Sequence, residues 1–345
     1  MKKLLGSVID SKKEKLIAMA DQIFDWAEIS GQEFQSSRLL TDCLKEEGFT
    51  IEYGTGLETA FRATYENMSG GPVIGILVEY DALEGIGHAC GHHLQGPSGI
   101  GAALAIKECI RDIPYKLVVY GTPAEETLGG KIVMLDAGYM KELDLALMSH
   151  ASPTTCVDEK CMALENFVVT FHGIKSHAGG PLNVVPDTTV AEYTLRSYST
   201  KDLDGIVERF LNIIKGAALM TSTTYDIQRD LPFKSKVVSY QTNKLLMDNA
   251  VYENAPCITE PRKKPGSTDF GNVLYEVPGS CIRIAFVDRN AAAHSEEYLK
   301  AGKSRQAHES ILYAAKIMAD TIADVLMNPE YLEAIKEEFR QQKGN

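Results

Sequence analysis

Residues 73–93 read VIGILVEYDALEGIGHACGHH, and two textures meet there. The opening six residues are a continuous apolar run, preceded by Gly70, Gly71 and Pro72. A short run of that kind fits a strand buried on both faces. Directly behind it come Glu79, Asp81, Glu84, His88, Cys90, His92 and His93, spaced by glycines. Open α/β sheets gather their ligand sites just past buried strands, so this segment predicts both an element and a site.

The same apolar texture recurs at residues 116–120, 145–148 and 281–287. Between these runs lie helical patterns at 11–47, 98–110, 129–140 and 304–327, followed by a charged tail expected to end in a surface helix. Buried strands alternating with helices predict an α/β sheet with helices on both faces. Residues 167–172 and 189–196 instead alternate as half-exposed strands do. With a helix at 203–217 and a polar strand near 225–227, they predict a small antiparallel α+β piece.

Composition narrows the partners. The 345 residues carry 35 Lys and Arg against 47 Asp and Glu, a net charge of −12, which gives no general attraction to nucleic acid or anionic lipid. No window offers a membrane span, and the basic start is cut short by Asp10 and the charged residues 12–15, so no export signal is expected. Seven cysteines without a framework read as reduced thiols, and the expected location is the cytoplasm. Cys156 and Cys161 lack the second pair that a metal knuckle needs.

Cys90 with three nearby imidazoles suits zinc or a neighbouring divalent ion, and a reactive thiol beside histidines is the competing reading. Glu125 and Glu126 follow the strand at 116–120. Adjacent carboxylates are commonly a solvated pair, but behind a buried strand one can ligate metal while the other takes a proton from water. His150 closes a third strand, where a structural histidine is the ordinary expectation. Cys90, His92, Glu126 and His150 together have the count and types of a metal site, with one ion or two left open.

The chain resembles the M20 metallopeptidases, specifically the amidohydrolase branch of N-acyl amino acid and p-aminobenzoyl-glutamate hydrolases. The matching pieces are residues 79–92 (EYDALEGIGHACGH), 121–126 (GTPAEE), 175–178 (KSHA), 183–187 (NVVPD) and 266–272 (GSTDFGN), in family order. The resemblance implies a zinc-peptidase-like α/β catalytic domain with a mixed central sheet flanked by helices, interrupted by a small, reduced α+β lid. The implied boundaries are 1–167 and 236–345 for the catalytic domain and 168–235 for the lid. It implies two divalent ions, zinc or manganese with cobalt or nickel also suitable, bridged by Cys90 and further held by His92, Glu126, His150 and His294. Glu125 becomes the general base. Asn183, Arg196 and Gly266 become substrate-binding residues, the arginine gripping a carboxylate. His177 is expected to be structural or to support a ligand without touching the metal, and His308, in a helical pattern, exposed.

The implied function is hydrolysis of an amide in an N-acyl amino acid or dipeptide-like small molecule. The alternatives are a dipeptidase of the same fold, or a metal-binding protein with little catalysis. The last arises because His177 runs through residues 178–182 almost directly into Asn183. Relatives place roughly fifty residues there, about one helix, one strand and their connections. In relatives that stretch supplies much of a dimer interface, so a monomer or an atypical homodimer is expected.

Overall fold

The computed structural model describes residues 1–177, 184–261 and 266–344. A seven-stranded mixed sheet runs through it in the order β1-β2-β4-β3-β5-β12-β6. Its strands are β1 (Thr50–Tyr53), β2 (Phe61–Asn67), β3 (Val73–Val78), β4 (Tyr115–Gly121), β5 (Leu145–Ser152), β6 (Cys156–Val157) and β12 (Gly279–Ala285). The four central strands β4, β3, β5 and β12 are mutually parallel, and antiparallel strands close both edges.

Successive side chains of a strand point to opposite faces, and the core divides accordingly. Ile74, Ile76, Leu117, Val119, Leu145, Leu147, Ile282 and Ile284 join one apolar cluster. That cluster is built with α1 (Lys2–Ser11), α2 (Lys13–Trp26), α3 (Phe34–Glu46), α4 (Gln95–Cys109), and the later α7 (Tyr240–Tyr252) and α10 (Arg305–Met327). Leu77, Val118, Tyr120, Ala146, Met148 and Cys281 enter a second cluster on the other face, with α5 (Gly130–Asp136) and α8 (Phe270–Glu276). Both faces are therefore covered, which is why these strands are apolar throughout.

Helix α4 is buried over residues 95–106 and needs small residues to fit. A Cβ on Gly99 would meet Val78 Cγ1 at 2.5 Å, so the glycine sets how closely α4 lies on β3.

A second, three-stranded antiparallel sheet has the order β10-β7-β11, from β7 (Ala163–His172), β10 (Thr188–Ser197) and β11 (Thr224–Arg229). Its one covered face packs Phe167 and Val169 against Leu203, Val207 and Ile214 of α6 (Thr200–Thr221). Ser199 caps α6 by accepting from the Asp202 N–H. A short ladder joins β8 (Ser176–His177) to β9 (Val184–Val185).

The first helix starts at Lys2, earlier than the periodicity from residue 11 indicates. Strands β1 and β2 escape a reading based on apolar runs because β2 mixes Arg62 and Glu66 with its buried residues. Helix α9 (Glu296–Ala301) leads into α10, and α11 (Pro329–Lys343) is the charged terminal helix expected for the tail. Among the described residues no helix is long and apolar enough to cross a membrane, and no disulfide pairs any of the seven cysteines.

Candidate metal centre

Because β3, β4, β5 and β12 are parallel, their C-terminal ends emerge at one edge of the sheet, and each delivers part of one cluster. Past β3 the chain presents Cys90 and His92 on either side of Gly91. Gly91 has φ of 86°, and a Cβ there would lie 2.4 Å from Ala151 Cβ. Only glycine allows that turn and that approach, which explains the Cys-Gly-His sequence in physical terms. Past β4, Ala124 takes the left-handed region at φ 59° and donates its N–H to Glu33 Oε1 at 2.9 Å, presenting Glu125 and Glu126. His150 lies near the end of β5. His294, also left-handed at φ 61°, follows β12 and donates its N–H to Ala89 O at 3.0 Å. Two non-glycine residues in that region, each costing on the order of 1 kcal/mol or more, mark a site whose geometry is imposed by its surroundings.

The ligand-type atoms of Cys90, His92 and His150 lie within 4.8 Å of one another, as do those of Cys90, Glu126 and His294. His92, Glu125 and Glu126 form a third such group. Cys90 Sγ is 3.8 Å from His150 Nε2, and Glu126 Oε1 is 3.5 Å from His294 Nε2 and 3.9 Å from His92 Nε2. His92 Nδ1 lies 3.0 Å from Asp81 Oδ1, so Nδ1 donates to that carboxylate and Nε2 is turned to the cluster. Asp81 is itself held by Ser30 Oγ at 2.8 Å and by the Glu126 N–H at 3.1 Å.

The electrostatics suit ligation. Burial alone would raise the Cys90 thiol, but the charges of His92 and His150 outweigh it and bring its pKa down to about 5. Burial likewise opposes ionisation of Glu126, yet His294 and His92 hold its carboxyl at about 2. Glu125 goes the other way. Burial, then the carboxylates of Glu79 and Asp269, push it well above the usual carboxylate range. Two adjacent carboxylates thus differ sharply in proton affinity, the pattern expected when one ligates and the other carries protons.

His92 Nε2 and Glu126 Oε1 are buried without a hydrogen-bond partner among the described residues. Orphaned buried atoms of this kind are costly unless something binds between them. A divalent ion fits, since thiolate, imidazole and carboxylate are the donor set of zinc and its neighbours.

The other sequence-selected residues divide. His88 and His93 turn away from Cys90 and His92. His88 Nε2 is 3.1 Å from Ile23 O, and His93 Nε2 is 2.9 Å from Gly302 O. Burial drives His88 well below its ordinary range and His93 to about 4, so both rings are neutral packing groups. Arg196 is exposed on β10, its Nη1 3.4 Å from Ser267 Oγ. Gly266 accepts the Met162 N–H at 3.0 Å and lines the cavity beside Cys90 and His294. Asn183 lies outside the described residues, as do residues 178–182. His177 enters the β8–β9 ladder. His308 is half-buried rather than exposed, with Nε2 2.9 Å from Asp21 Oδ1.

Sequence reasoning missed the support beneath the cluster. Lys131 is fully buried and bridges Glu79 Oε1, at 2.5 Å, and Asp269 Oδ1, at 2.7 Å. Glu79 Oε2 in turn lies 3.3 Å from His92 Nε2 and accepts from Gln95 Nε2 at 2.6 Å. Glu79 had a signal, a charge set directly at the end of a buried strand. Lys131 had none, because a lysine opening a helix usually reads as surface.

Two cavities meet at Glu125 and Glu126. One of about 260 Å³ includes Arg196, Asn166, Asp230 and Ser267, and one of about 200 Å³ includes Cys90, His150, Lys236 and Arg283. A larger apolar cavity of about 500 Å³ at the far end of the small sheet contains none of the cluster residues.

Similarity to known proteins points the same way. Residues 76–324 match the family described as Peptidase family M20/M25/M40. Xaa-Arg dipeptidase from Homo sapiens is 31% identical over 398 residues, covering 96% of this chain and 90% of the relative. Those 398 aligned positions exceed the 345 residues of this chain by 53, so the relative has at least that many positions without a counterpart here. One of the chains of p-aminobenzoyl-glutamate hydrolase from Escherichia coli (strain K12) is 24% identical, covering 98% of this chain and 95% of the relative. A dinuclear metal binding peptidase of the M20 family from Bacillus subtilis shares the fold with a TM-score of 0.73 at 19% identity, covering 92% of this chain and 99% of that one. A metal-type cluster at four parallel strand ends and a family match over most of the length lead to one conclusion: this chain belongs to peptidase family M20/M25/M40 and is a metal-binding amidohydrolase.

Proposed function

We infer that the protein hydrolyses the amide bond of a small N-acyl amino acid or dipeptide-like molecule, with Glu125 as general base. Two divalent ions would be held by Cys90, His92, Glu126, His150 and His294. The carrying observation is that Cys90 belongs to two separate groups of ligand-type atoms, so its thiolate would serve both. Zinc or manganese suits this donor set, and cobalt or nickel would also be accepted. When bound, the ions supply the Lewis acidity that makes water nucleophilic near neutral pH and steadies the oxyanion.

The chain's own groups do the rest. Glu125 takes the proton of the attacking water and returns it to the leaving amine, a task suited to its raised proton affinity. Asp81 keeps His92 in one tautomer. Arg196, across the adjoining cavity from Glu125, receives the carboxylate of the amino acid half, with the Gly266 backbone lining the neighbouring cavity. Residues 168–235 act as the lid over residues 1–167 and 236–345. The substrate is a small molecule and neither nucleic acid nor membrane is a partner. The protein works in the cytoplasm as a monomer or an atypical homodimer.

A second reading is a dipeptidase whose leaving residue is basic. Asp230 favours it, because this carboxylate shares the cavity of Arg196 and would face a cationic side chain, as the human relative's name suggests. The test is turnover of metal-loaded enzyme on a panel of N-acyl amino acids and dipeptides, comparing wild type with Glu125→Gln. Glu125-dependent hydrolysis is expected on at least one class. Its absence on every member sinks both readings.

A further inference from the structure

The cavity of about 200 Å³ behind Glu125 and Glu126 carries charges that hydrolysis itself does not use. Asp158, Lys236 and Arg283 line it together with Met148, Cys161 and Leu274. Arg283 stands directly beside His150 in the β5–β12 register and pairs with Asp158, Nε to Oδ2, at 2.5 Å. Lys236 differs. Among the described residues its ammonium makes no ion pair and no hydrogen bond, although its backbone N–H is fixed on Cys161 Sγ at 3.2 Å. Glu125 and Glu126 also line this cavity, yet among the described residues neither forms an ion pair with Lys236. Burial lowers the Lys236 pKa, so holding the ammonium charge without a partner is costly, and an incoming anion would relieve the cost.

Glu125 lines both cavities. An amide placed beside it would send its amine half toward Arg196 and its acyl half toward Lys236. We propose that the Lys236 cavity is an acyl pocket that selects acyl groups ending in a carboxylate, with Lys236 as the residue that binds this second carboxylate. The proposal rests on the amidohydrolase reading above. Hydrolysis would break the amide C–N bond, add the hydroxyl of water to the acyl carbon and its proton to the amine, and release a dicarboxylic acid and an amino acid. A free α-ammonium on the acyl side would instead face Lys236 and Arg283, so ordinary dipeptides should be poorer substrates.

The experiment pairs N-glutaryl amino acids with their neutral N-glutaramoyl analogues, using glycine, glutamate and arginine as leaving residues. For metal-loaded wild type, kcat/KM should favour the glutaryl compounds by about 10-fold or more, the scale of one charge-assisted hydrogen bond. Lys236→Met should collapse that ratio to about one, and Lys236→Arg should keep it, which guards against a simple folding defect. A wild-type ratio of one or below overturns the proposal, and so does a ratio that survives in Lys236→Met. Calorimetric binding of the same compounds to metal-loaded Glu125→Gln, with and without Lys236→Met, reads the pocket apart from turnover. If wild type hydrolyses nothing, tighter glutaryl binding that disappears with Lys236→Met still supports the pocket. Equal binding of the charged and neutral compounds overturns it.

Discussion

The two sheets of this protein are built under opposite constraints. In the large sheet β3 is buried from Ile74 onward, and at its end His92, Glu79 and Asp81 have almost no exposure. In the small sheet β10 is exposed or half-exposed along its whole length, and α6 leaves Ile213 60% and Met220 84% exposed. A side chain in the first region is held by several partners at once, whereas one in the second is held by few. That difference explains why a chain shorter than its human relative keeps a complete metal-type cluster: the cluster depends on the large sheet alone.

The comparison can be broken most decisively at Glu125. Glu125→Gln should lower turnover by about 10²- to 10⁴-fold while metal content and melting temperature stay close to wild type. Unchanged activity would remove Glu125 from the chemistry. Next is the buried support. Lys131→Met leaves Glu79 and Asp269 unpaired in the interior and should cost about 3–5 kcal/mol in denaturant unfolding. Ile213→Ser on the exposed face of α6 should stay within about 0.5 kcal/mol. Similar costs at the two positions would end the distinction between the sheets.

Arg196→Ala sharpens it from the other side. The residue is exposed, so stability should hold, while KM should rise about 10- to 100-fold for substrates with a free α-carboxylate. An unchanged KM would take Arg196 out of the binding site.

A modest, pH-dependent effect is expected at Asp320 in α10. Burial, then Glu253, raise its carboxyl to about 7 against an opposing contribution from Lys2. The folded chain therefore keeps a proton that the unfolded chain has lost, and stability should fall as pH rises from about 4 to about 7. Asp320→Asn should melt a few degrees above wild type at about pH 8 and show no advantage near pH 4. An equal advantage at both values would mean that Asp320 does not titrate in this window.

Much of the fold was legible because burial leaves a period in the sequence. The apolar runs at β3, β4, β5 and β12 and the alternating strands of the small sheet all stand out. β2 does not, because an outer strand with Arg62 and Glu66 in it has no such run. The histidines show the limit most clearly. His88, His92 and His93 look equivalent in the sequence, yet the φ of 86° at Gly91 turns His92 to the cluster, while the other two pack toward Ile23 and Gly302.

Residue order alone therefore determined which chemistry is on offer: a thiol, imidazoles and paired carboxylates just past buried strands, in the order of an M20 hydrolase. Only the tertiary structure decided which of those groups share one centre, that Lys131 lies beneath it, and that Arg196 and Lys236 face Glu125 from separate cavities. The reason is physical. Donor type and strand burial are properties of a residue and its near neighbours in the chain, whereas convergence, ion pairing and the partition of space depend on strands brought together from distant parts of the chain.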